Sequence, residues 1–362
     1  MPKKITLFIS ELIPGGAIKQ IINLAEVLKE DFDVTLLTWF KVPNEHYKIP
    51  EGVYRYVLKN SETRKKNIII TLGKILETRK FIKHFKPDVT ISFLHEINAW
   101  HILSVFDKKS VKKIISVREF PGFNERNFRS IIYKALTSKA DLLVCQTDRI
   151  KNWLVVAGYK PKIVIIPNFI SIPNLIKNST DLVPKDQVPY ILTIATKVNQ
   201  KGLDLLIQAY ERVTQVHSNI PLKIVGLGDP VEFNKMQNLI ANYNVSQQVI
   251  VEGYVKDIEE IYSGALFYVL SSRFEGIPNV LLEAMSFKLP IISFDCPTGP
   301  REILENGKLG ILVEPLNVEA LSTAMLLMIN NPGLRLKFVK LLGDSRVDNT
   351  REISKLWKKH IC

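Results

Sequence analysis

Two hydrophobic rhythms alternate along the chain. Short, nearly all-apolar runs are separated by stretches in which apolar residues recur three and four apart, the patterns of buried strands and of amphipathic helices. Ile5–Ser10 predicts a first strand, and the Pro14-Gly15-Gly16 turn after it leads to a helix over Gln20–Lys29 with Ile21, Leu24, Ala25 and Leu28 on one face. Val34–Thr38, Val89–Phe93, Lys113–Val117 and Leu142–Gln146 predict further strands with helical segments between them. Such alternation implies parallel sheet covered by helices on both faces.

From Asn168 to Pro189 the rhythm lapses into Pro, Asn, Ser and Lys, the composition of a linker. A second alternating set follows, with strands predicted at Tyr190–Ala195, Leu222–Val225, Val249–Glu252, Ala265–Leu270 and Ile291–Phe294. Its helices include Leu203–Val216, Asn279–Phe287 and Val318–Asn330. The expected organisation is α/β throughout, with two Rossmann-like, doubly wound domains over residues 1–178 and 179–345 facing across a cleft. The closing segment, 346–362, contains a helix over Thr350–His360 with Ile353 and Trp357 four apart, expected to pack back on the first domain.

Composition changes this picture little, but charge changes it more. The 362 residues suffice for about two domains. Hydrophobic residues make up 46% of them and charged residues 23%, which excludes a disordered chain. No apolar run approaches the ~20 residues of a membrane span, and the N-terminal apolar stretch reads as a strand and not as a secretion signal. Cys145, Cys296 and Cys362 lie without metal-site or disulfide spacing, which suits a reducing, cytoplasmic setting. Residues 1–180 hold 30 Lys and Arg against 16 Asp and Glu, an excess of 14, whereas residues 181–362 hold 19 against 20. The basic excess therefore belongs to the first half, as it would if that half met an anionic partner or merely carried a solubilising surface.

Candidate chemistry gathers at the predicted strand ends of the second half. After Leu270 comes Ser-Ser-Arg-Phe-Glu-Gly, then Pro278 where a helix should begin. Gly276, Ile277, Pro278, Asn279 and Val280 can cradle a phosphate at a helix N-terminus. Glu275 and Glu283 flank that turn; two solvated glutamates beside an ordinary loop are the alternative. Lys201-Gly202, at the start of a helix, can neutralise a diphosphate as a point charge or stand as a surface lysine. Gly226 lies in a glycine turn, and Tyr254 and Val255 follow a strand whose backbone can hold a nucleobase edge. The glycine turn alone reads as a plain tight turn, but four strand ends in one domain each carry a potential nucleotide-binding feature.

On these residues the chain resembles the retaining glycosyltransferases of family 4, which have the GT-B fold. The stretch Glu275-Gly-Ile-Pro-Asn-Val-Leu-Leu-Glu283 is similar to the family's Glu-x7-Glu signature, and Lys201-Gly202 to its Lys-Gly. The resemblance implies transfer from a nucleotide sugar, usually without a metal ion or other cofactor and with retention of anomeric configuration. It implies that Lys201 binds the diphosphate, Glu275 the donor sugar, Glu283 the ribose and the 276–281 amides the phosphates. The family commonly carries arginine where this chain has Thr196; Lys197, next to it, can keep the charge but not the bidentate geometry.

In the first half, Gly15-Gly16 resembles the family's glycine loop, with Gly16 approaching donor phosphate and acceptor. Arg118, in Val117-Arg118-Glu119-Phe120-Pro121, falls where many relatives have histidine, while some bacterial surface-polysaccharide members have Ser-x-Arg-Asn-x-Pro. It can stabilise the departing diphosphate or an anionic acceptor, or pair with Glu119. His95 and Glu96 end another strand, and Asn168 resembles a hinge-side Pro-Asn. Residues 64–86 place Ile68, Leu72, Ile75, Leu76, Arg79, Ile82 and Lys83 at helical spacing, with Arg64, Lys65 and Lys66 at one end. This is a core-facing helix with a basic outer face or a helix lying on an anionic membrane surface, and Lys108, Lys109, Lys112 and Lys113 add to the basicity. Aromatic platforms for nucleic acid are absent from the sequence, so none is expected as a partner.

The expected function is a retaining glycosyltransferase, peripheral on the inner face of the cell membrane, that moves sugar from a UDP-sugar to a lipid-linked glycan or surface polysaccharide. The alternatives are a sugar-nucleotide epimerase and a non-catalytic scaffold that binds an anionic lipid or polymer.

Overall fold

The computed structural model describes residues 2–42, 45–59, 68–118, 128–170, 188–255, 257–344 and 349–362. The chain divides into two units, one of residues 1–169 with 350–362 and one of residues 170–349. Arg64, Lys65, Lys66, Glu119 and most of the linker lie outside the described residues.

The first unit holds a seven-stranded sheet of β1 Lys4–Ile9, β2 Asp33–Thr38, β3 Tyr54–Val57, β4 Val89–Phe93, β5 Lys112–Ser116, β6 Leu142–Cys145 and β7 Lys162–Ile165. Their order is β3-β2-β1-β4-β5-β6-β7, and every pairing is parallel. The central strand β4 is buried at all five positions, as a strand covered on both faces must be. The edge strands β3 (YRYV) and β7 (KIVI) each carry a basic residue and are half-exposed, which blunts a sheet edge; neither is among the predicted strands. The first helix is Gly16–Leu28, beginning four residues before the apolar periodicity does.

The C-terminal helix Thr350–Ile361 packs on this first unit. Ile353, Trp357 and Ile361, one turn apart, are buried in one cluster with Ile5, Leu24, Val34 and Phe93. The Trp357 ring stacks on Phe93 with centroids 5.9 Å apart, and Lys358 pairs with Asp31 at 2.6 Å on the polar side.

The second unit holds β8 Tyr190–Ile194, β9 Leu222–Val225, β10 Val249–Glu252, β11 Ala265–Leu270, β12 Ile291–Phe294 and β13 Ile311–Val313. The order is β10-β9-β8-β11-β12-β13, again parallel. In each sheet the chain runs outward in one direction from its first strand and then returns to build the other side. The reversal falls between β1 and β4 and between β8 and β11, and ligands of open parallel sheets bind outside the carboxyl ends of strands at such points.

Basic residues of the first unit serve different ends. In the helix Ile68–Phe85 the buried face carries Lys74, Ile75, Thr78, Phe81 and Ile82, so Leu72 and Leu76, expected on the same stripe as Ile75, are instead 53% and 60% exposed. A helix face is narrow, and residues 72 and 76 fall outside the arc that 75, 78 and 82 define. Lys113 is also not a surface charge: it is buried, with Nζ 3.2 Å from Asp141 and 2.9 Å from the Val111 carbonyl. Among the described residues, no helix is long and apolar enough to cross a membrane.

Because Trp357 anchors the C-terminal helix, Trp357→Ala should lower the stability of the first unit by about 3–5 kcal/mol. Equilibrium denaturation followed by tryptophan-independent far-UV signal measures this; an unchanged midpoint would show that the helix contributes nothing to that core.

Candidate active site at the carboxyl ends of the second sheet

Three loops meet where the second sheet reverses. The loop after β8 closes on itself through Lys201 N to the Lys197 carbonyl (3.2 Å), Gly202 N to Asn199 (3.1 Å) and Leu203 N to Val198 (3.1 Å), then enters the helix Leu203–Thr214. Gly202 has φ of +59°, and a Cβ there would lie 2.1 Å from the Ser271 carbonyl oxygen, so only glycine permits this approach to the loop after β11. The two loops are stitched together: Ser271 Oγ donates to the Lys201 carbonyl (2.8 Å), Arg273 N to the Gln200 carbonyl (2.9 Å) and Arg273 Nη1 to the Asn199 carbonyl (2.8 Å). The Arg273 guanidinium then grips Asp204 with two bonds of 2.7 and 2.6 Å. Burial works against the Asp204 charge, yet the Arg273 bonds prevail and hold its carboxyl below the usual range.

This stitching brings Lys201 Nζ to 2.6 Å from Glu275 Oε1, with side-chain exposures of only 15% and 8%. Ser272 Oγ donates to the same oxygen at 2.6 Å. The loop after β12 supports the other side: Thr298 Oγ1 donates to the Glu275 carbonyl, and Gly299, at φ +96°, packs where a Cβ would meet Pro278 Cδ at 2.6 Å and the Gly276 carbonyl at 2.7 Å. Burial first, with the Glu275 charge beside it, pushes the Cys296 thiol of this loop up to about 12, which keeps it neutral and a poor nucleophile.

Gly276, Ile277 and Pro278 lead into the helix Asn279–Ser286. Pro278 precedes the helix as its cap residue, one place earlier than the first-turn position expected for it. Asn279 and Val280 occupy the first turn, and Glu283, half-buried, accepts a 3.0 Å hydrogen bond from the Tyr262 hydroxyl. Thr196 is half-buried at the end of β8, while Lys197 is exposed, 3.8 Å from Asp229. Gly226 (φ +106°) turns the chain so closely that a Cβ would lie 2.9 Å from the Ala195 carbonyl. At Gly228 a Cβ would strike the Tyr254 ring at 2.1 Å, so the ring lies against bare backbone, half-exposed, with Val255 half-buried beside it.

The first unit places its own candidates at strand ends. Gly16 opens the helix after β1 and is exposed. Arg118, just after β5, is partly buried with its guanidinium 4.0 Å over the Phe93 ring and donates to Asn168 Oδ1, which gives Asn168 a role in holding it. Its Nε is buried without a partner among the described residues, and burial pushes the guanidinium down to about 9. His95 stacks on Tyr133. Arg79 donates to Asp107 at 2.7 Å and to the Leu103 carbonyl at 3.1 Å, so its charge is engaged within the unit, whereas Lys83 is exposed. Among the described residues, no group of three His, Cys, Asp or Glu side chains is arranged to hold a metal ion.

Arg273, Ser272, Asp204, Thr298 and Tyr262 are site residues that motif reading passes over. Ser272 acts within its own loop, three residues from Glu275, whereas Arg273, Asp204, Thr298 and Tyr262 act across sequence gaps that the parallel sheet closes.

Comparison with known proteins identifies the family. Residues 176–341 match the family described as Glycosyl transferases group 1, and residues 14–172 match Glycosyltransferase Family 4. The chain is 30% identical over 348 residues to an uncharacterized glycosyltransferase, MJ1059, of Methanocaldococcus jannaschii, covering 82% of this chain and 85% of that one. It is 25% identical over 92% of both chains to the Campylobacter jejuni N-acetylgalactosamine-N,N'-diacetylbacillosaminyl-diphospho-undecaprenol 4-alpha-N-acetylgalactosaminyltransferase. A mutant of Staphylococcus aureus TarM, solved in complex with fondaparinux, alpha-GlcNAc-glycerol and UDP, has the same fold, with a TM-score of 0.80, 16% identity and 99% of each chain covered. The chain therefore belongs to the group 1 glycosyltransferases of GT-B fold, and it is a glycosyltransferase whose relatives include enzymes that build bacterial glycans.

The Arg273–Asp204 clasp makes stability depend on pH. A carboxyl whose value is lowered on folding contributes stability above its ordinary value of about 3.9 and loses it as pH falls through the folded value. Arg273→Ala should cost about 1–2 kcal/mol near pH 7, and the gap to wild type should narrow as pH falls through the lowered Asp204 value, leaving the Asn199 bond. Denaturation midpoints across pH measure this; a gap that stays constant into acid would mean that the Asp204 charge plays no part.

Proposed function

We propose that the enzyme transfers a sugar from a UDP-sugar to a lipid-linked glycan or surface polysaccharide, with retention of configuration and without a metal ion. The observation that carries this reading is the buried Lys201–Glu275 pair at the sheet's reversal point. An ammonium has three donors, and a lysine that gives one of them to Glu275 Oε1 has others to offer a diphosphate. Lys201 turns to the diphosphate, assisted by Lys197, Thr196 and the amides of Gly276, Ile277, Asn279 and Val280 around Pro278. Glu275, held by Ser272, accepts from donor-sugar hydroxyls, and Glu283 accepts from the ribose. The Gly226 turn with Tyr254 and Val255 receives the base edge. In the first unit, Gly16 gives backbone access and Arg118 meets an anionic group of the acceptor.

In the transfer, the bond from the anomeric carbon to the diphosphate oxygen breaks as the acceptor oxygen bonds to the same face of that carbon. The acceptor proton passes to the departing diphosphate, whose charge Lys201 and the helix-end amides stabilise. UDP in the TarM structure and the diphospho-undecaprenol in the Campylobacter relative's name support the donor and acceptor classes. Exposed Leu72 and Leu76, on one helix with exposed Lys80 and Lys83, support peripheral attachment to the anionic inner face of the cell membrane.

Incubation with a panel of UDP- and GDP-sugars tests the donor: one UDP-sugar should be consumed, and Lys201→Ala and Glu275→Ala should each slow UDP release by about a hundredfold or more. Release that survives both substitutions would contradict the reading. Sedimentation with anionic vesicles should fall at high salt and in the double variant Leu72→Ser, Leu76→Ser; indifference to lipid charge would remove the membrane assignment.

A further inference from the structure

The helix that carries Glu283 is bonded to one side-chain hydroxyl whose position packing alone does not explain. Tyr262 lies in the short helix Ile258–Ser263, which follows the loop of Tyr254 and Val255 at the end of β10. Its ring is almost wholly buried, stacked on Phe287 with centroids 4.9 Å apart and planes 13° apart, and 6.3 Å from the Tyr268 ring. A phenylalanine would fill that space equally well. The hydroxyl reaches Glu283 Oε2 at 3.0 Å and the Val280 carbonyl, in the first turn of the same helix, at 3.4 Å. Burial above all, with the Glu283 charge adding to it, keeps the phenol protonated, so towards this carboxylate it can only donate. A glutamate side chain loses considerable rotamer freedom when held still, and a bond from a rigid, buried donor removes that freedom before any ligand arrives.

We propose that Tyr262 is a positioning residue for nucleotide recognition: by donating to Glu283 Oε2 it presents the carboxylate to the ribose hydroxyls and ties that contact to the loop that meets the base. The inference rests on the donor reading above and extends it to a residue outside the Glu-x7-Glu stretch. It gives the affinity a specific chemical dependence. Loss of the hydroxyl should weaken only ligands with ribose hydroxyls to offer.

Calorimetric titration of wild type and Tyr262→Phe with UDP and with 2′,3′-dideoxy-UDP tests this. Wild type should prefer UDP; Y262F should bind UDP about tenfold more weakly and dideoxy-UDP as before. Glu283→Gln, which keeps the Tyr262 packing and so guards against a folding defect in Y262F, should narrow the same gap, and the double variant should be no worse than E283Q alone. Equal weakening of both ligands by Y262F, unaltered UDP binding, or full additivity in the double variant would each overturn the positioning role. Wild type that binds UDP with Y262F unaltered leaves the donor reading standing, whereas wild type that binds no UDP removes both.

Discussion

The buried ion pair of Lys201 and Glu275 is the constraint around which the second unit is arranged. Removing two charges from water costs several kcal/mol per ion, and mutual attraction returns that only with good geometry and further hydrogen bonds. Here the geometry comes from backbone. Gly202 lets the loop after β8 press against Ser271, Arg273 fastens both loops through Asp204, and Ser272 shares the carboxylate oxygen with the lysine. An apolar pair would serve stability as well or better, so stability alone does not account for the charges, in keeping with the donor-binding role proposed for them.

The parallel sheet makes this arrangement possible. Residues 201 and 275 are remote in sequence, but β8 and β11 are hydrogen-bonded neighbours, and their carboxyl ends deliver both loops to one place. The loop after β12 adds Thr298 and Gly299 from the next strand along. Rigid strands set the positions while short loops carry the chemistry, so a single side chain such as Arg273 can govern where a charge sits without touching a substrate.

Much of this was legible in the sequence. The fully buried strands declare themselves as apolar runs, and the strands predicted at Val34–Thr38, Val89–Phe93, Leu222–Val225 and Ile291–Phe294 end where the structure ends them. The Ile353–Trp357 spacing was enough to mark a helix with a core-facing side. The edge strand β3 was not legible, because Arg55 splits its four residues, whereas β7 lies outside the predicted set although Ile163–Ile166 is an apolar run next to the linker. Lys201 and Glu275 were legible because each stands beside a glycine in the loop after a strand, and Glu283 because it completes the Glu-x7-Glu spacing. Their supports, Asp204, Arg273, Thr298 and Tyr262, were not, since a hydrogen bond between residues so far apart in the chain leaves no local pattern. Lys113 and Leu72 mark the same limit in reverse: residue type put the lysine among the surface charges and left the leucine between core and membrane surface, and tertiary packing buries the first and exposes the second.

If Lys201 serves the second phosphate of a nucleotide diphosphate, its ammonium must discriminate UDP from UMP. Measuring dissociation constants for both nucleotides in wild type and in Lys201→Met tests this most directly. Wild type should prefer UDP, and the variant should lose this preference while UMP binds as before. A preference for UDP that survives the loss of the ammonium would contradict the role given to Lys201.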